Sequence, residues 1–227
     1  MARFAWEVLA ALLSPDRCSA CDGPVERLAA FCTACGPSAV TAPPESADQL
    51  AAFLYGGAVA HAVSRMKYDG RADLARPLGD LLARALDRTT DLARDFVVVP
   101  VPLHPLRLAE RGFNPACLVA RRVARYFSSP FFALALRRTR PTQAQATLNR
   151  DGRLANVRGA FAVRRASAVA RRHVLLIDDV RTTGSTLDAC AAALREAGAV
   201  AVTTAVVARA DRGAVPARAR GGPMPSM

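Results

Sequence analysis

Lysine is almost missing from this chain: of its 31 basic residues, only Lys67 is not an arginine. Aromatic residues are scarce at 6%, with one Trp and three Tyr, so a surface built chiefly from stacked rings is not expected. No apolar run approaches the roughly 18 to 20 residues of a membrane span. Val8 to Leu13 is apolar, but Trp6-Glu7 precedes it, Arg3 is the single basic residue ahead of it, and no small-residue cleavage site follows. A signal peptide is therefore not expected, and a cytoplasmic location is. No Gly-x4-Gly-Lys-Ser/Thr occurs, which excludes a Walker nucleotide loop. Internal repeats are also missing.

What is present supports a folded enzyme-sized unit. With 227 residues, 52% of them hydrophobic, the chain has room for one large domain and a small appendage. The formal net charge is +12, which invites a nucleic-acid reading. The charge is spread along the chain and forms no basic tail. The abundance of arginine and alanine also reads as compositional bias, so charge alone leaves nucleic-acid contact open.

The chain is organised around Val174-Leu-Leu-Ile177-Asp178-Asp179-Val180-Arg181-Thr182-Thr183-Gly184-Ser185-Thr186. Four apolar residues bounded by charge predict a short buried strand of a parallel sheet. Leu187 to Glu196 predicts a helix. Between them lie two carboxylates and a loop of hydroxyls around a glycine. Free amides and the positive end of a helix dipole at a sheet edge favour a phosphate, and Gly184 lets the backbone close around it. Two carboxylates would repel that phosphate unless a sugar with vicinal hydroxyls, or a magnesium ion, lay between. A ribose 5-phosphate group satisfies both halves, with its phosphate over Val180 to Thr186 and its hydroxyls on Asp178 and Asp179. The bland reading is an Asp-Asp pair that merely ends a strand. The full run resembles the phosphoribosyl pyrophosphate signature of type I phosphoribosyltransferases.

Cys18-x2-Cys21 and Cys32-x2-Cys35 are separated by ten residues. Two such knuckles can wrap one zinc ion with four thiolates, a closed and therefore structural site. The alternative is a pair of disulfides, which a reducing cytosol disfavours. A ribbon of this kind can also dock a partner. Residues 3 to 13 have helical spacing, and Thr41 to Ala47 reads as linker. The expected division is 1–40 for helix and zinc ribbon, 41–49 for linker, 50–208 for the main domain and 209–227 for a disordered tail.

Leu50 to Tyr55 reads as a strand or a turn, and Gly56 to Met66 and Leu74 to Leu86 as helices. Between the helices sits Lys67, where a compact ammonium replaces the arginine fork used everywhere else. Phe96 to Pro102 predicts a second buried strand. The stretch Leu103 to Phe113 reads as a loop bearing His104, Arg107 and Arg111, followed by a helix from Asn114-Pro115 to about Tyr126. This unit has the form of a second anion site, suited to a pyrophosphate. Cys117 and Cys190 read as small core residues. Phe131 to Leu136, Gly159 to Val163 and Ala199 to Val207 read as strands. The polar stretch holding Arg138, Arg140, Gln143 and Arg150 is either a surface excursion or a lid. Alternating strands and helices predict an α/β fold with a mostly parallel sheet, its ligand sites past the strands' carboxyl ends.

Taken together the chain resembles the ComF family of phosphoribosyltransferase-like competence proteins. The matching pieces are the four cysteines, Met66-Lys67-Tyr68, Val99-Pro-Val-Pro102, Arg111-Gly-Phe-Asn114, Thr142-x5-Leu148-x-Arg150, Asn156 to Phe161, and Val174 to Thr186. The resemblance implies a type I phosphoribosyltransferase-like fold with an N-terminal zinc ribbon. It implies magnesium phosphoribosyl pyrophosphate on Asp178, Asp179 and Arg181 to Thr186, with Arg107, Arg111 and, with less support, Lys67 on the pyrophosphate. Arg138 to Arg150 would match the flexible catalytic loop. Family members are associated with natural transformation and incoming single-stranded DNA, and a DNA-uptake helicase or channel is an expected partner for the ribbon. Any turnover would displace pyrophosphate at the anomeric carbon, with Asp178, Asp179, Arg107 and Arg111 as the catalytic set; the residues show no base-recognition element.

Overall fold

The apolar runs of the sequence become the centre of one parallel sheet. A computed structural model describes residues 17–26, 28–88, 95–139 and 159–211. Its strands are β1 (Gln49–Leu54), β2 (Phe96–Pro100), β5 (His173–Arg181) and β6 (Ala201–Arg209), in the order β1-β6-β5-β2. All three pairings are parallel. Every residue of Val174 to Ile177 is buried, because the sheet is covered on both faces. Leu175, Ile177, Val98 and Ala205 pack beneath α1 (Gly57–Tyr68), α2 (Ala75–Asp87) and α4 (Pro115–Tyr126). Val174, Leu176, Val97 and Val206 pack beneath α5 (Ser185–Glu196) and a small antiparallel pair, β3 (Leu136–Arg138) with β4 (Phe161–Val163). The expectation of a mostly parallel α/β sheet flanked by helices holds.

The expected helices and strands lie within a few residues of their predicted bounds, with two differences. Leu103 to Phe113 is not all loop, since it contains a short helix, α3 (Pro105–Arg111). Pro105 opens it, His104 Nδ1 accepts a 3.3 Å hydrogen bond from the Leu106 amide, and Gly112 ends it in the left-handed region. In the stretch Phe131 to Leu136 only Leu136 belongs to a strand, and Phe131 makes a lone bridge to Val98. Cys190 is buried as expected, whereas Cys117 on α4 is half-buried.

The expected helix at 3–13, most of the tail, and the lid residues Arg140, Gln143 and Arg150 lie outside the described residues. Among the described residues no helix is long and apolar enough to cross a membrane.

α2 and α4 lie in close contact at Gly79, where an added Cβ would fall 2.7 Å from Arg122 Cβ. The Asp80–Arg122 ion pair and a 3.2 Å hydrogen bond from Tyr126 to Asp87 hold the same two helices. The cysteine segment is fastened to α1: Arg65 pairs with Asp22 and donates to the Ser19 carbonyl, and Ser38 Oγ accepts from the Ala58 amide at 2.9 Å.

Candidate functional site

β5 carries its carboxylates to the carboxyl edge of the sheet, where a cavity of about 400 Å³ opens. The pleat sends the two acids to opposite faces. Asp179 turns toward α1 and takes an ion pair from Lys67 Nζ at 2.8 Å. Asp178 turns toward the other layer, where it feels Arg138 of β3 and the Cys190 thiol of α5. Burial and the neighbouring Asp179 charge push the Asp178 carboxyl up to about 7, against the opposing pull of Lys67, the Asp179 amide and Arg138. Burial pulls the Lys67 ammonium down, but the Asp179 and Asp178 charges outweigh it, and the net shift is upward. The Lys67 ammonium is therefore charged at neutral pH, with Asp178 poised beside its ion pair to Asp179.

The loop after β5 forms a cradle at the start of α5. Gly184 has φ +88, a conformation side chains resist, and offers no side-chain cap to the first amides of α5. Thr182 and Thr186 line the cavity, while Thr183 and Ser185 share a 3.1 Å hydroxyl contact behind it. Val180 also lines the cavity. The Arg181 side chain does not. It is buried and runs to Glu45 and Gln49, and its stem lies 3.7 Å from where a Gly184 Cβ would sit. The arginine props the loop from below, and only its backbone belongs to the cradle.

The facing wall comes from distant parts of the chain. Arg111, at the end of α3, lines the cavity with its guanidinium 5.5 Å from the Tyr68 ring centroid. Arg107, one helical turn before it, is exposed and pairs with Glu110 at 3.2 Å outside the cavity. Asn114 both caps α4 and donates to the Val101 carbonyl at 2.9 Å, tying the β2 end to the cavity rim. Arg138 closes the side over Asp178, its guanidinium 5.5 Å from the Phe161 ring.

A second cluster lies in the N-terminal ribbon. The sulfurs of Cys18, Cys21, Cys32 and Cys35 all lie within 4.8 Å of one another, and Cys21 and Cys32 are 3.7 Å apart. Thiolates at a tetrahedral zinc would be about 3.8 Å apart, from a Zn–S bond near 2.3 Å, so the four cysteines are close enough to hold one ion. Burial raises the Cys18 thiol, yet the amides of Cys32, Cys21 and Ala20 aimed at its sulfur bring it down to about 6.

A family model described as a phosphoribosyl transferase domain matches residues 112–221. Competence protein F of Haemophilus influenzae is 32% identical over 65% of this chain and 66% of its own length. DNA utilization protein YhgH of Escherichia coli is 35% identical over 62% of each. Competence protein ComFC of Streptococcus pneumoniae is 31% identical over 68% of this chain and 64% of its own. The chain belongs to the ComF family. The matched stretches span somewhat less than two thirds of those relatives' lengths.

In this ComF chain the structure brings Asp178, Asp179, Val180, Thr182, Thr186, Lys67, Arg111 and Arg138 around one cavity. It leaves Arg107 and the side chain of Arg181 outside it. Sequence reasoning missed Tyr55 and Tyr68, both cavity-lining and 44% and 73% exposed. The signal was present in the Lys67-Tyr68 adjacency, but a single tyrosine at a helix end carries no mark of its own exposure.

Proposed function

We propose that this protein binds phosphoribosyl pyrophosphate, with magnesium, in the cavity at the end of β5, and acts in DNA uptake during natural transformation on the cytoplasmic side. The observation that carries the reading is the cradle of Thr182 to Thr186 beside two acids, one of them already held by Lys67. The loop amides and hydroxyls would take the 5-phosphate, and Asp178 and Asp179 the ribose hydroxyls. Arg111 and Lys67 would take the diphosphate. Asp178, which no ion pair among the described residues neutralises directly, would hold with the diphosphate oxygens a magnesium ion arriving with that group, and the bound ion would stabilise charge on the leaving group. The names of the relatives support the DNA role, and the excess of arginine supports contact with single-stranded DNA.

Titration calorimetry with phosphoribosyl pyrophosphate and magnesium, repeated with single-stranded DNA present, tests the reading. Saturable heat that requires Asp178 and Asp179 is expected, and no heat at any accessible concentration would end it. The ribbon would hold one structural zinc. Cys18→Ser should release it and loosen the ribbon from α1, and an unchanged metal stoichiometry by elemental analysis would contradict that.

A second reading is pentosyl transfer to an unidentified acceptor in nucleotide salvage. It is favoured by the Asp178 carboxyl held near 7, in the range of a general base. Pyrophosphate release with a panel of bases separates the two.

A further inference from the structure

Beyond the cavity, its rim continues into a trench along α4. Pro115 at the start of α4 lines the cavity. Leu118, about 4.5 Å further along the helix, lines a second depression of about 240 Å³ with Ala75, Arg76 and Arg121. Arg121 and Arg125, one helical turn apart, line that depression and a third of about 440 Å³, which ends at Ser128, Ser129 and Phe131. The opposite side is equally continuous. Tyr68 borders the cavity and Ala72 the trench, and four residues of chain span at most about 14 Å.

Arginines dominate the trench, and among the described residues the one acid lining it is Asp73. Arg121, Arg125 and Arg76 are exposed, and among the described residues no carboxylate is ion-paired to them. The acids nearby are already taken, Asp80 by Arg122 and Asp73 by Arg71. Arginines at helical spacing meet a phosphate backbone well and carry no base specificity. Tyr68 at one end is 73% exposed and offers an aromatic ring to an unpaired base, while Phe131, packed against the core, closes the other end. A duplex keeps its bases stacked inside and could not use that ring.

We infer that single-stranded DNA lies along this trench, with its phosphates on Arg76, Arg121 and Arg125 and a base against Tyr68, leading its end toward the cavity. The inference rests on the proposed DNA contact and gives it a location.

The test is the salt dependence of binding to a labelled oligothymidylate, read by fluorescence anisotropy. Arg121→Ala with Arg125→Ala should weaken binding about tenfold or more and flatten the logarithmic salt slope by about 1.4, two contacts at roughly 0.7 each. Heat of phosphoribosyl pyrophosphate binding and the melting curve should stay as in the parent, which shows the variant is folded. Arg164→Ala with Arg165→Ala removes the same charge from the opposite face of the sheet and should change little. Equal losses in the two variants, or no loss in the first, overturn the trench. Equal binding of a blunt duplex overturns the single-stranded occupant. A parent protein that binds no DNA at low salt defeats instead the DNA part of the proposed function, with calorimetry still reporting on the cavity.

Discussion

The two walls of the cavity are made in opposite ways. One is a single run of nine residues, Asp178 to Thr186, in which strand, acids, glycine turn and helix start follow one another without interruption. The other is assembled from α1, α3, β3 and the start of α4, whose cavity residues Lys67, Arg111, Arg138 and Asn114 are spread over more than seventy positions. The first wall is prebuilt by local geometry and presents a fixed cradle. The second depends on tertiary packing, and Lys67 of that wall reaches across to Asp179 of the first. An ion pair thus joins the assembled wall to the local one.

Replacing Asp178 and Asp179 by Asn together should have the largest effect. The binding heat of phosphoribosyl pyrophosphate should vanish while far-ultraviolet circular dichroism is retained, because the strand's buried residues are unchanged; surviving heat would show that the local wall is not the grip. Next comes the prop beneath that wall. Arg181→Ala leaves Glu45 without its close partner, although Arg209 still lies 3.7 Å away. Stability should fall by about 2–3 kcal/mol, below the full value for a buried pair because Glu45 keeps some solvent contact. A denaturant midpoint equal to the parent's would break the claim that the cradle is supported from below.

The assembled wall is sharpened by two arginines four positions apart. Arg111→Ala removes a charged donor from the cavity and should weaken ligand binding about tenfold, the worth of one charge-assisted hydrogen bond. Arg107→Ala should leave affinity nearly unchanged, since that side chain pairs with Glu110 in solvent. Reversed effects would show that α3 turns on binding.

The smallest effect is with pH. Asp178 binds a proton up to about 7 in the folded protein, against an ordinary carboxyl near 4. The folded state therefore holds more protons than the unfolded one between those values. Its contribution to stability is fully present below about 4 and is lost as pH rises through about 7. Ligand binding runs the other way: hydroxyls and cations need the carboxylate, so affinity should rise between pH 6 and 8 with release of a proton. Calorimetry in buffers of different ionisation heat measures that proton, and Asp178→Asn should abolish it.

Much of this could be read before any fold was known, because it is written in short-range terms. The apolar run ending in Asp178-Asp179, the Gly184 turn, the Asn114-Pro115 helix start and the paired Cys-x2-Cys knuckles each specify their structure within a few residues. Arg107 and Arg111 look alike in sequence, yet a capped turn of helix sends one to solvent and the other over Tyr68. Arg181 sits inside the glycine loop by position and beneath it by packing. Lys67 stands out in the sequence only as an oddity of composition, and its meaning is the distance to Asp179.

By itself the sequence determined the parallel sheet, the cradle and the metal-sized cysteine cluster, since hydrophobic period, glycine conformation and ligand spacing act locally. Only the tertiary structure decided which cations face the cradle, that Tyr68 is exposed, and that Arg121 and Arg125 flank a trench leading away from it. Those depend on helix packing across the sheet, where residues far apart in the chain meet and no local pattern records the encounter.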